Sequence, residues 1–125
     1  MSNLLKYASP KTGNELHLSG NQLVNESKES FPVINGIPRF VEVDNYAAAF
    51  GLQWKTFAKT QLDSFNGTND TYLRLERCLG VPITSLEGKT ILEVGAGAGR
   101  FTEHLVKSNG LIHSVDLSLA VDVNK

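Results

Sequence analysis

Cysteine occurs once among the 125 residues, at Cys78, which excludes an intrachain disulfide and any cysteine-rich zinc site. Charge of one sign is also missing. Lys and Arg total 12 against 13 Asp and Glu, a net charge of −1, so nothing points to a polyanion held by bulk electrostatics, and nucleic acid is not indicated. No apolar run approaches the roughly 20 residues that span a bilayer. No basic start leads into an apolar stretch of the signal-peptide kind. The expectation is a cytoplasmic protein without membrane contact. The three sequons at Asn25, Asn66 and Asn69 then read as polar-loop sequence rather than glycan acceptors. With 41% apolar and 20% charged residues the composition is that of a folded chain. The length suits one ordinary domain or two very small ones.

What is present falls into three zones, 1–43, 44–85 and 86–125. In the first, Leu16-His17-Leu18 alternates, Ser19-Gly20-Asn21 can turn and Gln22-Leu23-Val24 can return. Phe31 to Ile34 then meets Asn35-Gly36, the strongest two-residue hairpin signal. Pro32 and Pro38 cannot donate to a ladder, so their strands are expected at sheet edges or to end early. In the second zone the period changes from two to about 3.6. Tyr46, Phe50, Trp54 and Phe57 share one helical face behind a cap at Asp44 or Asn45. Asn66 to Asp70 reads as a loop. A second helix would carry Tyr72, Leu75 and Leu79 inward until Gly80 and Pro82 stop it.

The third zone reads as the start of an α/β unit. Thr90 to Val94 is a short apolar strand, the glycine-rich stretch Gly95-Ala96-Gly97-Ala98-Gly99 follows, and a helix runs from about Arg100 to Ser108. Asn109-Gly110 ends that helix, Leu111 to Val115 is a second buried strand, and Ser118 can cap a third element. A strand turning sharply into a helix leaves the first helical N–H groups without partners, and glycine there lets a ligand approach bare backbone. Asp116 follows Gly95 by 21 positions, at a strand end where a carboxylate can accept from both hydroxyls of a ribose. A tight strand–helix turn would also use glycines, but the pairing with Glu93 and Asp116 points to a nucleotide-type site at the mouth of a parallel sheet.

The dinucleotide fingerprint needs its third glycine at residue 100, which is Arg100. The pattern is instead Glu93-x-Gly95-x-Gly97-x-Gly99, which resembles motif I of the class I S-adenosylmethionine-dependent methyltransferases. "GRFTEHL" and "SVDLS" are similar to the family as well. The resemblance implies a Rossmann-like sheet and S-adenosyl-L-methionine as cofactor. It places Glu93 near the cofactor's methionine end, the backbone of Gly95, Ala96, Gly97 and Gly99 against its amino-acid part, and Asp116 with neighbouring Leu117 at the ribose. Arg100 is read as contacting the cofactor or a substrate anion, or as solvated, and Phe101 as packing on the sheet.

"SPKTGNELHL…LVNESKESFPVINGIPRFV" resembles the small β-rich Trm112-like domain, whose members partner methyltransferases or lie fused ahead of them. Ser9 stands at the cysteine of that family's opening and Thr12 where a second could lie, so no metal site is carried over. His17 reads as a solvated strand residue. "FGLQWKTFAKTQLDS" resembles the helical lead-in of such fused enzymes and serves equally as an amphipathic helix burying Phe50, Trp54 and Phe57. The expected architecture is α/β, α+β overall: a Trm112-like domain, a helical linker and the truncated start of a Rossmann-like methyltransferase sheet.

Only two strands of the sheet are present, one on each side of the loop, so the sequence reads as the N-terminal part of such an enzyme, with no catalytic residue assigned and the methyl acceptor unnamed. A strand lacking its neighbour would leave residues 86–125 loosely ordered or self-associating. Two further readings stand beside this one: a non-catalytic Trm112-like interaction module supporting another methyltransferase, and a nicotinamide-dependent oxidoreductase fragment.

Overall fold

Residues 6–42, 49, 53 and 56–124 are described by the computed structural model. The chain divides into two compact units, Met1–Glu42 and Val43–Lys125. The first is an antiparallel meander of β1 (Tyr7–Ala8), β2 (Glu15–Ser19), β3 (Gln22–Val24), β4 (Ser30–Ile34) and β5 (Ile37–Pro38), paired in chain order. Alternation along the strands places Leu16, Leu23 and Phe31 in one buried cluster, with Tyr7, Val33 and Phe40 packed against it. Burying each of the three is worth about 1.5–3 kcal/mol. Asn35 and Gly36 both have positive φ, 54° and 79°. That is the two-residue turn whose twist matches the strands, and it sets Ile34 opposite Ile37.

Pro38 lies on a two-residue edge strand, as its missing N–H demands, but Pro32 does not. β4 is interior, between β3 and β5. Its neighbour Val33 donates toward β3, to Asn21, while the Pro32 carbonyl accepts from Arg39 on the other side, just past the end of β5. The proline nitrogen faces that same side, at the end of the β4–β5 pairing. Ser9 and Thr12 turn their hydroxyls onto the Glu29 carboxylate at 2.8 and 2.7 Å, and Asn25 donates to it as well. The Thr12 hydroxyl, then Asn25, against the opposing effect of burial, hold the Glu29 carboxyl below its ordinary value. His17 is exposed, as expected.

In the second unit the expected face of Tyr46, Phe50 and Trp54 lies outside the described residues. Phe57, expected to be buried, is 55% exposed. Helix α1 (Asp63–Asn66) ends where the expected loop begins, and α2 (Asp70–Leu79) starts at that loop's last residue and ends on Gly80 in the left-handed region. Leu75 is buried and Tyr72 packs beside it, but Leu79, expected inward, is exposed because the helix has reached its last turn. A 3-10 turn (Ile83–Leu86) leads to β6 (Thr90–Val94). The helix expected over residues 100–108 is shorter, α3 (Thr102–Leu105) followed by a 3-10 turn (Val106–Ser108), and β7 (Leu111–Val115) runs parallel to β6 in register from Thr90↔Leu111 to Val94↔Val115.

One face of this parallel pair is covered by a cluster of Leu75, Ile83 and Leu105 with Tyr72, Leu86, Phe101 and Ile112. The other is bare: Leu92 and Val94 are 66% and 75% exposed, with Leu111 and Val115 exposed beside them. Gly110 fixes where β7 starts, since a Cβ there would lie 2.9 Å from the Leu86 carbonyl oxygen.

The helices are joined through a buried carboxylate. Asn69, which precedes α2, makes no side-chain cap. Asp63 supplies it from the preceding helix, accepting from the N–H groups of Thr71 and Tyr72 at 3.2 and 3.0 Å and from the Thr68 hydroxyl at 2.9 Å. Its Oδ2 also lies 3.0 Å from His104 Nε2 in α3. Glu103 in turn caps α1, accepting from the N–H groups of Asp63 and Ser64 and from the Ser64 hydroxyl. Loss of a cap, together with a buried His104 that keeps only Glu103 at its Nε2, sets the expected cost: Asp63→Ala lowers stability by about 2–4 kcal/mol, readable as faster hydrogen exchange at the β6 and β7 amides.

Candidate functional site

Alternation along β6 turns Glu93 toward the covered face, where its register partner is Ser114. Glu93 Oε2 accepts from the Ser114 hydroxyl at 2.7 Å and from the Thr102 hydroxyl at 2.6 Å. Thr102 Oγ1 itself accepts from Asn124 Nδ2 at 3.0 Å. Glu93 Oε1 is buried and has no partner among the described residues. An unmet buried acceptor costs about 1–3 kcal/mol, so this oxygen is an opening for a donor.

Beyond Val94 the chain passes through three left-handed glycines, Gly95, Gly97 and Gly99, with φ of 76°, 54° and 99°, which side chains rarely tolerate. At Gly95 a Cβ would meet nothing within 4 Å, whereas at Gly99 it would lie 2.5 Å from Asn124 Oδ1. The backbone over Gly95 is thus open, and that over Gly99 is covered by a side chain. The loop satisfies most of its own donors. The N–H groups of Gly95 and Ala96 both go to the Val115 carbonyl, that of Gly97 to Asp116 Oδ2 at 2.8 Å, and that of Gly99 to the Ala96 carbonyl.

Asp116 at the end of β7 therefore holds the loop. Its Oδ1 accepts from the N–H and hydroxyl of Ser118 at 2.8 and 2.6 Å. Ser118 accepts from Ala120 and so caps the 3-10 turn Leu119–Asp122, as its position suggested. Burial would raise the Asp116 carboxyl, but the Ser118 hydroxyl and N–H and the Gly97 N–H outweigh it and hold the group below its ordinary value. Leu117 beside it is 44% exposed.

Against the loop lies a hollow of about 200 Å³ lined by Ala58, Leu62, Gly95, Ala96, Arg100 and Phe101, with Gln61 and Ala98 completing it. Of the eight site residues singled out from the sequence, Gly95, Ala96 and Arg100 share this hollow, Gly97 and Asp116 bond to each other, and Gly99 closes the turn. Glu93 stands under it on the covered face. Phe101 packs on the core cluster, as expected. Thr71, Thr102, Ser114 and Asn124 escaped the sequence reading. Ser114 alone left a signal there, a small polar residue inside an apolar strand two positions before Asp116.

Among the described residues one group could hold a cation, Asp63, Glu103 and His104, whose ligand atoms lie within 4.8 Å of one another. Each carboxylate already serves as a helix cap, so its chemistry is structural. Burial raises both acids, and hydrogen bonds outweigh it: Tyr72, Thr71 and Thr68 hold Asp63 below the carboxylate range, and Ser64, Asp63 N–H and the nearby His104 hold Glu103 low.

A pH dependence follows with a definite sign. Asp63, Glu103 and Asp116 are all lowered on folding, so the stability they contribute is full above the ordinary carboxylate range of about 3.9–4.3 and is lost as pH falls through their folded values. Acid titration followed by circular dichroism is expected to unfold this unit only below about pH 4. Asn at position 63 or 116 should flatten that acid limb.

Comparison with known proteins returns one short likeness. A 34-residue stretch, 27% of this chain, is 56% identical to phosphoethanolamine N-methyltransferase 1 of Zea mays, of which it covers 7%. No family model and no solved structure matches the chain. Among the described residues no helix is long and apolar enough to cross a membrane. The chain thus carries, in a small mixed α/β framework, a segment similar to part of a methyltransferase.

Proposed function

We propose that residues 86–125 form the cofactor-binding part of an S-adenosylmethionine-dependent methyltransferase, with a Trm112-like unit ahead of them. One observation carries the reading. Four loop N–H groups, at Gly95, Ala96, Gly97 and Gly99, are turned into the protein's own acceptors, so the loop offers them to no pyrophosphate. A nicotinamide dinucleotide needs such donors; S-adenosylmethionine, a sulfonium nucleoside without phosphate, does not. The open backbone at Gly95, the partnerless Glu93 Oε1 and the strand-end Asp116 suit an amino-acid end and a ribose. The likeness to a maize N-methyltransferase agrees with this chemistry. When bound, the cofactor supplies an electrophilic methyl group; the chain's own residues hold and orient it, which is where proximity contributes to rate.

The Trm112-like reading of the first unit rests on Phe31 to Pro38, which form β4, the turn and β5. Ser9 and Thr12, where that family has cysteines, are bound to Glu29. The reading of that unit as an interaction module keeps the same motif as its support.

Two measurements test these proposals. Titration with S-adenosylhomocysteine is expected to shift amides at Gly95 to Phe101 and at Asp116, and NAD is expected to shift none; the reverse result would replace the methyltransferase reading with the oxidoreductase one. The bare face of Leu92, Val94, Leu111 and Val115 is the kind of apolar surface that seeks a partner, since parallel strands are ordinarily covered on both sides. Sedimentation velocity is accordingly expected to show concentration-dependent self-association, reduced by Leu92→Lys together with Val94→Lys. A monomer at all concentrations would refute it.

A further inference from the structure

Among the described residues lining the hollow beside the glycine loop there is one cation, and its surroundings specify what that cation is for. Arg100 lines the hollow together with Ala58, Leu62, Gly95, Ala96 and Phe101. Its Nε donates to Thr71 Oγ1 at 3.1 Å, and Thr71, 1% exposed, is the most buried polar residue described. The guanidinium carbon stands 5.6 Å from the centre of the Phe101 ring. Both contacts fix the plane of the group before any ligand arrives. Among the described residues no carboxylate lies within ion-pairing distance of it; Asp63 and Glu103 cap helices and Asp116 holds Ser118 and Gly97.

A guanidinium held at Nε keeps its two terminal nitrogens as a fork, the arrangement that matches two carboxylate oxygens. The loop cannot meet that need instead, because the N–H groups of Gly95, Ala96, Gly97 and Gly99 are already used. An anionic group entering this hollow has Arg100 as its receptor.

The geometry points to Arg100 as the receptor for the carboxylate of the cofactor's amino-acid end, held in the hollow walled by Ala58 and Leu62 from the segment before α1. This rests on the methyltransferase reading and adds to it the group that selects for the amino-acid part. Thr71 is then a positioning residue, whose hydroxyl aims Arg100.

The test compares two ligands on the full 125-residue chain by calorimetric titration. One is S-adenosylhomocysteine. The other is its decarboxylated analogue, which keeps the adenosine, the thioether and the amine. The wild-type chain is expected to favour the first by roughly tenfold to a hundredfold, the range for a hydrogen-bonded charge pair. Arg100→Gln should erase that preference by weakening the first ligand and leaving the second unchanged. Arg100→Lys, which keeps charge without the fork, should retain only part of it. Equal affinity of the wild type for both ligands, or equal weakening of both by Arg100→Gln, would overturn the assignment. If Arg100→Gln disturbs the fold, the lysine variant decides alone, since an undiminished preference there would rule out the fork. Binding of neither ligand by the wild type would instead reject the methyltransferase reading itself, and the Arg100 assignment with it.

Discussion

The second unit is organised around the buried carboxylate of Asp63. One side chain from a four-residue helix caps the ten-residue helix α2 and meets His104 of α3, while Glu103 beside that histidine caps Asp63's own helix. Helices this short do not persist on local hydrogen bonds, because nucleation is unfavourable and few bonds reward it. The first and second of them persist here because the N-terminal end of each is satisfied by a carboxylate from another element, Glu103 for α1 and Asp63 for α2. The same arrangement reaches the glycine loop: Thr71, whose N–H is held by Asp63, carries the Arg100 side chain on its hydroxyl.

The glycine loop is a second closed circuit. Three positive-φ glycines make the turn, and Asp116 and Val115 from the neighbouring strand accept its N–H groups. Parallel pairing of β6 with β7 is what brings these acceptors to the loop, since it aligns Val94 with Val115 and sets both strand ends at one edge. The loop thus spends these donors internally. The side chains around it are the Glu93 carboxylate under its clamp of hydroxyls, Asp116, and Arg100 in the hollow.

The two faces of the parallel pair divide the unit's energetics. Ile112 and its neighbours bury against helices and stabilise the unit, whereas Leu92 and Val94 keep their apolar surface in water. In the first unit the interior cluster takes one residue from each of three strands, Leu16 from β2, Leu23 from β3 and Phe31 from β4.

Period and punctuation in the sequence determined most of the local structure. Alternation with Asn35-Gly36 specified the hairpin, Gly80 the end of α2, and the apolar runs at Thr90–Val94 and Leu111–Val115 the two strands, because these depend on backbone preference and nearest neighbours. The loop glycines and Asp116 were legible for the same reason, a spacing set by one strand–helix–strand passage. Inward placement of Phe57 and Leu79 was misjudged, and of the two expectations for the Pro32 strand, a sheet edge or an early end, the edge does not hold: whether a face is buried, or a strand has a neighbour, is decided by what packs there and not by its own period. The Asp63–His104–Glu103 knot, Thr71 under Arg100, and Thr102 with Ser114 on Glu93 came only from the tertiary structure. Their partners lie between 9 and 41 positions apart, and hydrogen bonds over such spans are fixed by the packing of elements, which no local pattern encodes.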